Sequence, residues 1–185
     1  GMAKVALEKG ELDKAVELAG QAGDKGYAET VKGTALMRQG KLDEAAKSFE
    51  AAAAKPASDW QKSEAVNGAG RVAQQGGQAD AAIGKYQEAV ALDPYNVVAL
   101  SNEGAAHREK GDLPKAQEAL EKAKEMGGDD SLVAMMLQQV KKELEEANDV
   151  KRGELIRNQI ADLSARFKEL KEQGKDKPVD QWSTP

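Results

Sequence analysis

The chain has 185 residues and a net charge of −5, which argues against a whole-protein attraction to nucleic acid or to an anionic membrane surface. Charged residues make up 32% and aromatics 4%; strong helix formers dominate, and the Val/Ile runs of a buried parallel sheet are missing. There is no cysteine, which excludes a disulfide framework, a thiolate nucleophile and a cysteine-based zinc site, and no stretch approaches the roughly eighteen apolar residues of a membrane span.

Gly1-Met2 reads as the scar of a cleaved tag, and no secretory signal follows it. The first informative phrase is Lys9-Gly10-Glu11-Leu12-Asp13-Lys14-Ala15. It returns as Gln39-Gly40-Lys41-Leu42-Asp43-Glu44-Ala45, as Gly76-Gly77-Gln78-Ala79-Asp80-Ala81-Ala82 and as Lys110-Gly111-Asp112-Leu113-Pro114-Lys115-Ala116. Its glycines, 10, 40, 77 and 111, are 30, 37 and 34 residues apart. Each phrase lies between two amphipathic stretches. Glycine ends the first because it takes the left-handed conformation cheaply. An acidic residue, or Pro114, suits the first turn of the second. Each phrase therefore predicts the turn of a helical hairpin.

Residues 1–25 form an incomplete copy, short of most of its first helix; complete copies span 26–59, 63–96 and 97–130. That truncated start predicts a chain belonging to a longer protein, with Val5, Leu7, Leu12, Val16 and Leu18 partly uncovered. Other markers keep phase with the turns. Gly33, Gly70 and Gly104 stand seven residues before a turn glycine, where a missing side chain lets the second helix approach. Ala45, Ala82 and Ala116 follow the turn; Phe49, Tyr86 and Leu120 come four residues later, and Ala52, Ala89 and Ala123 complete the stripe. Pro56 and Pro94 close the second helices. Extra residues at Asp59-Trp60-Gln61 lengthen one first helix, with Trp60 packing back on the preceding repeat.

These markers resemble the tetratricopeptide repeat (TPR), whose 34-residue pattern has a helix-one Gly, a helix-two Ala with an aromatic one turn on, and a closing Pro. The resemblance covers residues 1–130. It departs from the pattern at Glu29, Val66 and Leu100, where a large aromatic is usual, and at Leu36, Ala73 and His107, where tyrosine is usual. It implies an all-α fold, a right-handed helical-hairpin solenoid whose first helices line a concave, peptide-binding groove.

Carried onto this chain, the groove positions of the first helices begin with Tyr27, Thr30, Thr34, Met37 and Arg38. Glu64, Asn67, Arg71, Gln74 and Gln75 follow on the next, then Val98, Ser101, Ala105, Arg108 and Glu109 on the third. Asn67 and Asn102 are the expected partners of a ligand's backbone amides. Arg38, Arg71 and Arg108 form a ladder that fits a partner's acidic segment, because guanidinium binds carboxylate in a fork; each could instead pair with Glu64, Glu103 or Glu109. Thr30, Thr34, Gly68 and Val98 do not reproduce the Lys/Asn set of the chaperone-binding clamp.

After Asp130 the phrase stops. The sequence predicts a C-terminal capping helix pair over 131–173: a helix from Ser131 to about Ala147, a break at Asn148-Asp149, and a second helix to about Gln173. Ile156, Ile160, Leu163, Phe167 and Leu170 are spaced 4, 3, 4 and 3 along the latter, a cap face or a homodimer seam. Residues 174–185 read as a linker. Their phrase Pro178-Val179-Asp180-Gln181-Trp182-Ser183-Thr184-Pro185 resembles the lead-in to a following domain in bacterial envelope proteins with N-terminal TPR repeats. That resemblance, with the missing cysteines, puts the periplasm or cell envelope ahead of the cytoplasm. The alternative function is a structural N-terminal module that positions a downstream domain or self-associates through residues 150–173.

Chemistry has little foothold. His107 is the only histidine and sits at a packing position, without the partners of a triad or a metal site. Gly68-Ala69-Gly70-Arg71-Val72-Ala73 matches G-x-G-x-x-A, but it lies inside a first helix rather than between strand and helix. Met135-Met136 reads as core. No catalytic residue, cofactor or metal is expected. The sequence thus predicts a non-catalytic scaffold that binds a protein or peptide.

Overall fold

The computed structural model describes residues 1–22, 26–55, 58–127 and 131–173. Among these, all regular structure is helical: α1 (Met2–Glu8), α2 (Leu12–Gln21), α3 (Gly26–Arg38), α4 (Leu42–Ala53), α5 (Asp59–Gln75), α6 (Ala79–Leu92), α7 (Val97–Glu109), α8 (Leu113–Gly127) and α9 (Ser131–Glu172). The chain divides into two units, residues 1–141 and 142–185.

The four turns within hairpins share one geometry. Gly10, Gly40, Gly77 and Gly111 have φ of 77°, 78°, 74° and 77°. The amide after each glycine donates back to a carbonyl five residues earlier: Glu11 to Ala6, Lys41 to Leu36, Gln78 to Ala73 and Asp112 to His107, each at 2.9 Å. This Schellman closure satisfies a carbonyl that the helix end leaves without a partner. Side chains staple neighbouring turns. Gln39 Nε2 donates to Asp13 Oδ1 at 3.0 Å, and Lys110 meets Asp80 at the corresponding positions of later repeats. Gly76 takes the place of Gln39 and Lys110 in the repeat between, so no side chain can make that staple there.

The alanine and aromatic stripe is the core. Ala45, Ala82 and Ala116 are fully buried, and so are Tyr86 and Leu120; Phe49 is 1% exposed. Glycines admit these large side chains. A Cβ on Gly70 would meet the Tyr86 ring at 2.6 Å, and one on Gly104 would meet Leu120 Cγ at 2.6 Å. Phe49 is held from two sides. A Cβ on Gly33, in its own hairpin, would stand 3.1 Å from the ring, and one on Gly68, in the next, only 2.2 Å. Both glycines of the apparent dinucleotide fingerprint are therefore helical packing positions inside α5.

The expected break at Asn148-Asp149 does not occur; α9 runs unbroken from Ser131 to Glu172. Asn and Asp each cost only a few tenths of a kcal/mol to about 0.7 in a helix interior, and without proline nothing there stops propagation. The cap is thus one helix where a pair was expected. Within the first unit, Val133, Leu137 and Val140 of α9 pack with Leu100, Ala116, Leu120 and Ala123. The 34-residue offset explains why a single helix suffices. Leu100, Gly104 and His107 of α7 are buried, whereas Ala134, Gln138 and Lys141 at the equivalent positions of α9 are exposed. Gly104 leaves the room that Leu120 of α8 needs; α9 carries Gln138 at that position. Residues 131–141 thus take the place of a first helix whose second-helix face, Ala134, Gln138 and Lys141, stays exposed.

Other differences are local. The extra residues do lengthen α5, which starts at Asp59 with a Ser58/Gln61 capping box, so the expected boundary at 63 falls inside it. Trp60 stays half exposed. Met37 is core, packed with Leu36, Ala45, Phe49 and Val72, rather than groove. Met136 joins the core, but Met135 is 62% exposed. Pro56 and residues 174–185 lie outside the described residues.

Candidate functional site

The first helices α1, α3, α5 and α7 adjoin one another in sequence, whereas among the described residues the second helices α2, α4, α6 and α8 touch only first helices. One continuous face therefore belongs to first helices; of the groove positions expected there, Met37 and Asn67 are buried. The sequence folds this way because the small positions of α5 and α7 admit the second helices on one side and leave the other side to polar residues.

Asn67 and Asn102 meet directly: Asn102 Nδ2 donates to Asn67 Oδ1 at 2.9 Å, bridging α5 to α7. A carboxamide has several hydrogen-bonding positions, and this bond uses one on each. Two turns on, Tyr86 Oη donates to Gln74 Oε1 at 2.6 Å, and Gln74 Nε2 donates to Glu109 Oε1 at 2.7 Å. Burial pushes the Tyr86 phenol well above its ordinary pKa; Arg71 pulls it down and Glu109 pushes it up. Arg71, Gln74 and Glu109 thus form one polar cluster over a buried ring. Thr34 Oγ1 and Ser101 Oγ donate to carbonyls of their own helices, Thr30 at 2.9 Å and Val97 at 2.7 Å.

The arginine ladder is unequal. Arg38 Nη1 donates to the Leu7 carbonyl at 3.1 Å, so it secures the end of α1. Arg71 belongs to the Tyr86 cluster, and Arg108 is exposed near the end of α7. Partial desolvation raises the Glu64 carboxyl pKa, and Lys4 pulls it down. The repeat offset reaches two further positions on α9. Adding 34 to Val98 and Ser101 gives Leu132 and Met135, and Val98, Leu132 and Met135 are all exposed. The signal was the repeat offset itself, carried past Ser131 where the turn phrase had ended.

His107 is a buried core imidazole between Glu103 at 3.8 Å and Asp112 at 3.9 Å. Among the described residues no cluster of three His, Asp or Glu side chains gathers as metal ligands would, and no helix is long and apolar enough to cross a membrane.

The Tyr86 environment makes a testable prediction. Its folded pKa lies above the unfolded value of 10.0, so folding favours the neutral phenol. That contribution is complete below about pH 10 and is lost as pH rises through the folded value. Urea denaturation should show wild-type stability falling more steeply above about pH 10 than that of Tyr86→Phe, which has no phenol to ionise.

A row of helical hairpins of this kind defines a repeat scaffold for protein–protein interaction. TPR family models match residues 30–97 and 73–140. The chain belongs to the tetratricopeptide-repeat family, and the second match takes in the start of α9. Solved structures agree on the fold. The C-terminal part of a TPR repeat-containing protein from Cytophaga hutchinsonii is 23% identical over 78% of this chain and 58% of that one, with a TM-score of 0.64. MamA is 19% identical over 78% and 85%, TM-score 0.64. The Cut9–Hcn1 hetero-tetramer of the APC/C gives 12% identity over 75% and 28%, TM-score 0.67. The chain thus spans little over half of the Cytophaga chain.

Proposed function

We propose that the inner face of α3, α5 and α7 binds an extended, acidic segment of a protein partner. The observation that carries this reading is the Asn67–Asn102 bridge with Arg71 and Arg108 on the same helices. The bridge ties α5 to α7 and leaves the partly exposed Asn102 carboxamide available to a ligand backbone, and guanidinium groups on the same two helices suit carboxylates. Thr34, Gln74 and Ser101 complete a polar floor. Arg38 acts chiefly by holding α1 in place.

An array of peptides of varied composition tests this. Peptides retained by the wild type should be enriched in Asp and Glu, with binding that weakens as salt rises. The double variant Arg71→Glu/Arg108→Glu should lose those peptides by about tenfold or more, because two charge-assisted contacts become repulsions. Retained peptides without acidic enrichment, or unchanged affinity in the double variant, would count against the proposal. The alternative role, positioning a following domain, rests on residues 178–185, outside the described residues.

A further inference from the structure

In the second unit, α9 carries Ile156, Ile160, Leu163, Phe167 and Leu170 on one face, each 44–63% exposed. Their spacing places Ile160 and Phe167 at a positions and Ile156, Leu163 and Leu170 at d positions of a heptad seam. The flanking e positions are then Arg157, Ser164 and Lys171, and the g positions are Gln159, Arg166 and Gln173. None is acidic. The helix's carboxylates lie elsewhere on its circumference: Asp162, which meets Arg166 at 3.3 Å, and Glu169 occupy outer c positions.

This charge pattern bears on which helix can cover the seam. In a parallel pair of copies a g residue faces the e residue five further along the partner, so Arg166 meets Lys171. In an antiparallel pair e faces e and g faces g, so Arg157 meets Lys171 and Arg166 meets its own counterpart. Either way every charged flanking contact between two copies repels.

We propose that the seam of α9 over Ile156–Leu170 receives an amphipathic helix of a different polypeptide, one with Asp or Glu beside its own apolar seam. The inference is independent of the groove reading, since it concerns other residues and a helical rather than an extended ligand. It also reverses the homodimer reading of the same residues.

The full chain can supply its own probe. Arg157→Glu/Arg166→Glu/Lys171→Glu makes a protein that presents the same apolar seam with acidic flanks. Sedimentation equilibrium should find the wild type and the triple variant monomeric when each is alone. An equimolar mixture should form a heterodimer at least about tenfold tighter than either self-association. Adding Ile160→Asp and Phe167→Asp to the wild-type partner should abolish it. A wild-type homodimer as tight as the mixed pair overturns the proposal, and so does a mixture that associates no better than its components.

Discussion

Phe49→Ala is expected to cost about 3–5 kcal/mol, more than any other single truncation in the interior of the array. The ring is 1% exposed and belongs to the cluster of Leu36, Met37, Ala45 and Val72. What sets it apart is its position between hairpins. Gly33 approaches it from its own repeat and Gly68 from the next, so removing the ring opens a void shared by α3, α4 and α5. Neither glycine can fill that space, and helix backbones relax only partly around a cavity. In a solenoid the interface between neighbours is the coupling term that makes separate hairpins unfold together. Urea denaturation should therefore show a lower midpoint and also a broader or divided transition. A single transition displaced by less than about 1 kcal/mol would mean the ring does not carry the inter-repeat contact.

Val140→Asp is expected to be comparably severe, about 3 kcal/mol or more, and different in kind. Val140 is fully buried among Leu100, Leu120 and Leu137, and no cationic partner belongs to that cluster. A carboxylate there must stay protonated or expel the cap. Because Val140 lies at the end of the stack, the damage should stay local. Amide exchange should accelerate across α7, α8 and the start of α9 while α3 and α4 keep their protection. Uniform acceleration through all helices would show that the cap is not a separable element.

The repeat core was legible residue by residue. The turn glycines, the Gly70 and Gly104 contacts and the Ala/aromatic stripe follow from sterics that leave one residue type at each position, so composition reveals geometry. Gly68 was legible only as a false fingerprint, since its packing partner Phe49 lies nineteen residues earlier and in another hairpin. The C-terminal region was misread for a related reason. Asn148-Asp149 resembles a cap, but caps are decided by what the chain does next, and the residues that follow remain good helix formers. The 34-residue offset from α7 into α9 was available, yet it was hidden because the cap changes the very positions, 134, 138 and 141, that identify a first helix. The groove was least legible. Sequence places arginines on a face, but it cannot say that Arg38 is engaged by the Leu7 carbonyl or that Gln74 links Tyr86 to Glu109.

The most direct test of the binding account is backbone amide chemical-shift mapping of the isotope-labelled protein titrated with an acidic peptide retained in the array experiment. The account predicts perturbations concentrated on α5 and α7, at Asn67, Arg71, Ser101, Asn102 and Arg108, extending to Thr34, with the outer faces of α4, α6 and α8 unchanged. Saturating shifts confined to those second helices, with the inner residues silent, would contradict it.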